Sequence, residues 1–156
     1  MGYSVRTALD ILGHDARVVV AELVPGVVEW NRGVLADLAG RPLDDGRTEL
    51  YETDVIQLIK AAGGDYDAIM LDIDNGAEAM VRKGNNWLYS LPGLTATYAA
   101  LRYGGVLAMW SAGPQPAFVR RLRRAGFEVD EVKVRAHGAS NRKGGAHHVV
   151  WIATRG

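Results

Sequence analysis

The segment Tyr66-Asp67-Ala68-Ile69-Met70-Leu71-Asp72-Ile73-Asp74-Asn75-Gly76 constrains the fold more than any other part of the chain. A mostly apolar run passes directly into acidic residues and then a glycine turn. A run of this kind predicts a strand buried on both faces, as in a parallel sheet with helices on each side. In such sheets ligands lie beyond the carboxyl ends of the strands. Asp72 and Asp74 therefore leave the core where a ligand would sit, as anchors or proton acceptors.

The rest of the chain alternates between helical and strand patterns. Val5, Ala8, Leu9 and Leu12 share one helical face, and Gly13 ends that helix. Arg17 to Leu23 is a short β-branched strand. Pro25 opens a helix that the apolar spacing carries to Leu38. Residues 40–46 form a loop, Thr48 to Thr53 a strand, and Val55 to about Ala62 a helix. After the strand ending at Asp72, a helix starts at Pro92 and closes at Gly104-Gly105. Val106 to Trp110 is a buried strand, and Pro116 to Ala125 a helix. Glu128 to Val134 and His148 to Ala153 are two last strands, joined by a basic loop over residues 135–145. This order predicts an α/β, Rossmann-like doubly wound sheet, mostly parallel, with an antiparallel C-terminal strand. No internal repeat or linker interrupts it, so the 156 residues predict a single domain.

Composition excludes several function classes. Lys+Arg and Asp+Glu both number 18, so no net field draws the chain to nucleic acid or an anionic membrane. With no cysteine there is no disulfide, thiolate metal site or cysteine nucleophile. No apolar run approaches the roughly 20 residues of a membrane span, and Arg6 and Asp10 interrupt any signal-peptide core. The expected setting is cytoplasmic, with a small-molecule substrate.

Acidic residues recur at strand ends. Glu22 closes the second element about 20 residues after Met1-Gly2-Tyr3-Ser4, the spacing at which Rossmann-type folds place a carboxylate on ribose hydroxyls. Two carboxylate oxygens match two vicinal hydroxyls. Asp54 ends the next strand, where it can accept from an adenine amino group, and Asp72 the one after. Singly, each acid reads equally well as a helix cap or turn former. Three at successive strand ends argue for a site.

The series Met1-Gly2-Tyr3-Ser4, Val20-Ala21-Glu22-Leu23, Glu52-Thr53-Asp54-Val55, Tyr66 to Asp72 and Gly104-Gly105-Val106-Leu107 resembles the spermidine synthase branch of the class I S-adenosylmethionine-dependent methyltransferases. The resemblance covers almost the whole chain. It implies that Gly2, Glu22, Leu23, Asp54, Val55 and Asp72 bind S-adenosylmethionine or its decarboxylated form. It also implies that Asp72 is the general base removing the proton of an attacking amine. Asp74, Asn75, Trp87 and Tyr89 would then shape the acceptor site. Asn75 stands where the family carries a second acid, so it can accept a hydrogen bond but offers no charge. Met1-Gly2 matches only the tail of the family's glycine loop. The chain thus reads as N-terminally shortened, its first strand missing, and open sheet edges would favour a homodimer.

Other features read as structural. His147 and His148 are adjacent on a strand and point to opposite faces, which disfavours a shared metal ion, and no metal is expected. Arg120, Arg121, Arg123 and Arg124 lie beside the apolar Phe118, Val119 and Leu122, as on a solvated helix face. Trp30, Trp87, Trp110 and Trp151 fall in apolar patterns and read as core or pocket walls, Trp87 and Tyr89 being best placed to meet a ligand. Ser4, Ser90 and Ser111 lack His-Asp partners by spacing. Three functions remain: an aminopropyltransferase-like enzyme, a small-molecule methyltransferase, and a non-catalytic nucleoside-binding or scaffold protein.

Overall fold

A computed structural model describes residues 2–72, 87–135 and 147–156. The elements are α1 (Tyr3–Ile11), β1 (Val18–Ala21), α2 (Pro25–Arg32), β2 (Thr48–Tyr51), α3 (Val55–Ala61), β3 (Tyr66–Leu71), α4 (Leu91–Ala100), β4 (Leu101–Ser111), α5 (Pro116–Arg124), β5 (Phe127–Arg135) and β6 (His147–Arg155). The α/β class and the order of elements agree with the sequence reading. The chain divides into two compact units, Met1–Leu58 and Ile59–Gly156.

In the first unit β1 and β2 pair in parallel, Val18 opposite Thr48 and Ala21 opposite Tyr51. Leu9 of α1, Val28 of α2 and Ile56 of α3 are buried, with Ala36, Ala39 and Pro42 between β1 and β2 in sequence. The helix expected to reach Leu38 stops at Arg32. Gly33 takes φ −108 and ψ −110, outside helical space, and the chain resumes as a 3-10 turn over Ala36–Ala39. Here glycine's conformational freedom outweighs the apolar spacing that would continue the helix. Trp30, read as core or pocket wall, is 57% exposed. Only the face of α2 carrying Val28 is covered.

Arg47 ties this unit together. Its guanidinium donates to both Asp45 carboxylate oxygens and to the carbonyls of Leu12 and Gly13, at 2.8–3.2 Å. The carbonyls just beyond the C-terminus of α1 thereby gain a charged donor. The Arg47 side chain and then its backbone amide hold the Asp45 carboxyl well below the usual carboxylate range. A carboxyl lowered in the folded state contributes stability above its unfolded pKa of about 4, and that contribution fades as pH falls further. Asp45→Asn should therefore flatten the acid limb of a melting-temperature profile between about pH 5 and 2. A variant profile parallel to the parent's throughout would refute this linkage.

The second unit holds a four-stranded sheet in the order β3-β4-β6-β5. β3 and β4 are parallel, whereas β6 runs antiparallel to both its neighbours. The antiparallel C-terminal strand is thus as expected. β4 begins earlier than the sequence reading: Leu101 already pairs with Tyr66, and the register resumes only at Val106 opposite Ala68. The intervening Gly104, at φ 76, turns the strand through a conformation that few other residues adopt. One sheet face is the core. Ile69, Leu71, Leu107, Met109, Trp151 and Ala153 are buried with Leu94 and Ala100 of α4 and Phe118, Val119 and Leu122 of α5.

β3 departs from expectation. Ile69 and Leu71 are buried, but Ala68 is exposed and Met70 is 61% exposed. The strand is therefore buried on one face, not both. It also ends its sheet, because β4 is the only strand paired with it among the described residues. Exposed residues at alternate positions of a parallel strand leave apolar surface that such sheets ordinarily cover. No helix among the described residues is long and apolar enough to cross a membrane.

Candidate functional site

Within the first unit, the parallel register sends β1 and β2 out at one edge. Glu22 follows Ala21, and its amide donates to the Tyr51 carbonyl at 3.0 Å, so the two strand ends stay in step to their last residue. Glu22 Oε1 accepts from the Val24 amide at 2.8 Å, just ahead of α2. Asp54 Oδ1 accepts from the Ile56 amide at 2.9 Å, the geometry of a cap on α3. The capping reading of these acids is thus realised in part. Each carboxylate gives one oxygen to the backbone. The second oxygen of each takes no partner among the described residues. A carboxylate oriented in this way keeps an acceptor for a ribose hydroxyl or an adenine amino group. Leu23 is exposed and Val55 half-buried beside them, supplying apolar surface of the kind a purine requires.

Gly2 precedes α1 with φ 74, and a Cβ there would lie 2.9 Å from Pro42 Cγ. Both the backbone angle and the close approach require glycine at this position. The packing against Pro42 is a structural reason for Gly2 that stands beside any role in a cofactor loop.

In the second unit, Asp72 is the first residue beyond β3 and is exposed. It makes no hydrogen bond or ion pair among the described residues. Asp74 and Asn75 lie outside the described residues. Trp87 is half-buried, with Lys60 Nζ 4.7 Å from its ring centroid. Its carbonyl accepts from the Ser90 hydroxyl at 2.6 Å and the Ser90 amide at 3.0 Å, which fixes the chain entering α4.

Tyr89 does not stand where the sequence places it. It is 5% exposed, packs edge-on against Phe118 at 5.5 Å, and its carbonyl accepts from Arg121 at 2.6 Å. Burial raises its phenol pKa. The ring belongs to the core against α5, because α4 and α5 cover that sheet face. Sequence spacing had no means of locating α5 opposite residue 89. Trp110 is the aromatic that the sequence reading left undifferentiated. It lies next to the end of β4 and is 38% exposed, whereas Trp151 is fully buried.

The described residues contain no cluster of three or more His, Asp or Glu able to hold a metal ion. Each unit carries carboxylates at strand ends, groups able to accept hydrogen bonds from hydroxyls and amines and to take up protons.

No family model and no curated protein sequence matches the chain. Its fold is nevertheless that of the spermidine synthases and methyltransferases. It is similar to spermidine synthase from Thermotoga maritima, with a TM-score of 0.74 and 19% identity over 99% of this chain and 50% of that one. A spermidine synthase in complex with the transition state analogue AdoDATO gives a TM-score of 0.72 at 18% identity, again over 99% and 50%. Precorrin-6y C5,15-methyltransferase from Geobacter metallireducens GS-15 gives 0.64 at 15% identity, over 98% of this chain and 73% of that one. The chain spans about half the length of the two spermidine synthases.

Proposed function

We propose that this protein is a group transferase that binds S-adenosylmethionine or its decarboxylated form and delivers an aminopropyl group to a small amine. The observation that carries the reading is the acid after each of β1, β2 and β3, on a fold shared with spermidine synthase over 99% of the chain. In this reading Glu22 holds the ribose hydroxyls, and Asp54 with Leu23 and Val55 holds the adenine. Gly2 shapes the turn before α1, and Asp72 accepts the proton of the attacking amine. Asp74, Asn75 and Trp87 border the acceptor. A sulfonium is already a good leaving group, so the chemistry asks for no metal.

The likeness to a precorrin methyltransferase supports a second reading, methyl transfer from the carboxylated cofactor. Calorimetry with S-adenosylmethionine, its decarboxylated analogue and methylthioadenosine separates the two. Preference for the decarboxylated form supports aminopropyl transfer, and preference for the carboxylated form methyl transfer. Binding of none of the three would overturn both.

Glu22→Gln tests the anchor directly. It keeps size and an acceptor for the Val24 amide but loses charge-assisted hydrogen bonds worth about 1.5–3 kcal/mol. Methylthioadenosine should therefore bind on the order of tenfold to a hundredfold more weakly. Unchanged affinity would remove Glu22 from the site.

A further inference from the structure

The register of β3 and β4 sets a second group beside Asp72. Met70 lies opposite Ala108 and Leu71 opposite Met109. That pair is the last in the register: Asp72 is the next residue beyond β3, and Trp110 the next along β4. Neighbouring strands are about 4.8 Å apart, and side chains alternate between faces. Leu71 and Met109 point into the core. Trp110, with Met70 and Ala108, therefore belongs to the opposite, open face, beside the point where Asp72 leaves the sheet. On the far side of β4, Val150 of β6 lies opposite Trp110, and the His148 ring packs on the indole at 4.9 Å with a tilt of 36°. His148 Nδ1 is buried and has no hydrogen-bond partner among the described residues. The imidazole and the indole thus pack on one another, with no hydrogen bond at Nδ1 among the described residues. The result is an apolar floor of Met70, Ala108, Trp110 and Val150 with a carboxylate at its rim.

Resting on the transferase reading, we propose that Trp110 is the specificity-determining wall of the acceptor site, positioned by His148. The acceptor that fits is a primary amine on a flat apolar body, an arylalkylamine, rather than a diamine. The body lies on Trp110 and Met70 while the amino group reaches Asp72. In the transfer step the nitrogen lone pair attacks the carbon next to the sulfonium. The C–N bond forms, the C–S bond breaks, and the thioether leaves with the bonding pair. Nitrogen acquires the positive charge and then passes a proton to Asp72. The indole ring attracts that developing cation. A diamine would bring a second charge onto a floor whose own residues, Met70, Ala108, Trp110 and Val150, carry none.

The test is calorimetric titration of the full chain with 2-phenylethylamine, butylamine and 1,4-diaminobutane, each with and without saturating methylthioadenosine. The parent should bind 2-phenylethylamine at least tenfold more tightly than 1,4-diaminobutane. Trp110→Ala should abolish this preference, whereas Trp110→Phe, which keeps a flat ring, should retain most of it. His148→Phe should preserve the preference and His148→Ala should reduce it severalfold. Methylthioadenosine affinity should stay unchanged in all four variants, and unaltered circular dichroism would show that each is folded. A parent without the preference, or a Trp110→Ala protein that keeps it, overturns the proposal. If the preference follows Trp110 but methylthioadenosine does not bind, the amine site stands and the transferase reading fails.

Discussion

Asp72→Asn should lower the rate of aminopropyl transfer by about 10²- to 10⁴-fold, the usual contribution of a positioned general base. The amide keeps the size of the carboxylate but cannot take a proton from the nitrogen. That loss corresponds to about 3–5 kcal/mol of transition-state stabilisation. Asp72 is exposed and bonds to nothing among the described residues, so the melting temperature and methylthioadenosine affinity should hardly move. A helix-capping role predicts the reverse, a stability loss of about 1 kcal/mol with activity retained. The deciding measurement is methylthioadenosine release from decarboxylated S-adenosylmethionine in the presence of an amine. Turnover near the parent rate would end the mechanism in which Asp72 is the base.

Gly93→Ala is expected to have the largest effect on stability. A Cβ at this position would collide with the Trp87 carbonyl oxygen and lie 2.8 Å from its carbonyl carbon. Both are backbone atoms, so no side-chain rotation relieves the clash. The Ser90 hydroxyl donates to that same Trp87 carbonyl at 2.6 Å and accepts from the Gly93 amide at 3.2 Å. Moving the carbonyl therefore also disturbs the cap of α4. Leu94 and Thr97, one and four residues further on, are completely buried and cannot follow an outward shift of the helix. Overpacking of this kind costs about 1–3 kcal/mol, and loss of the cap adds about 1 kcal/mol. For a chain of this size the melting temperature should fall by about 4–15 °C. A fall of under about 2 °C would show that the turn before α4 can yield after all.

Much of the architecture was legible in one sequence. Apolar periodicity and turn residues set the order of helices and strands, because both depend on local spacing and on backbone restrictions at Gly and Pro. The acids after β1, β2 and β3 were visible for the same reason, since a strand's end is marked by its own residues. The antiparallel final strand also followed, because two short strands joined near the C-terminus tend to pair as neighbours.

Tertiary structure alone decided which of these residues face solvent. The run over β3 reads as buried throughout, yet Met70 is exposed, because burial depends on what packs against a face and not on the residue itself. Tyr89 and Trp110 are both aromatics in apolar surroundings, and sequence patterning ranked Tyr89 the nearer to a ligand. Packing against Phe118 takes Tyr89 into the core, while the pairing of β4 with β3 ends at Met109 opposite Leu71, leaving Trp110 and Asp72 as the next residue on each. Local chemistry writes the elements and their ends; the register between strands distant in sequence determines which side chains meet, and no local pattern encodes it.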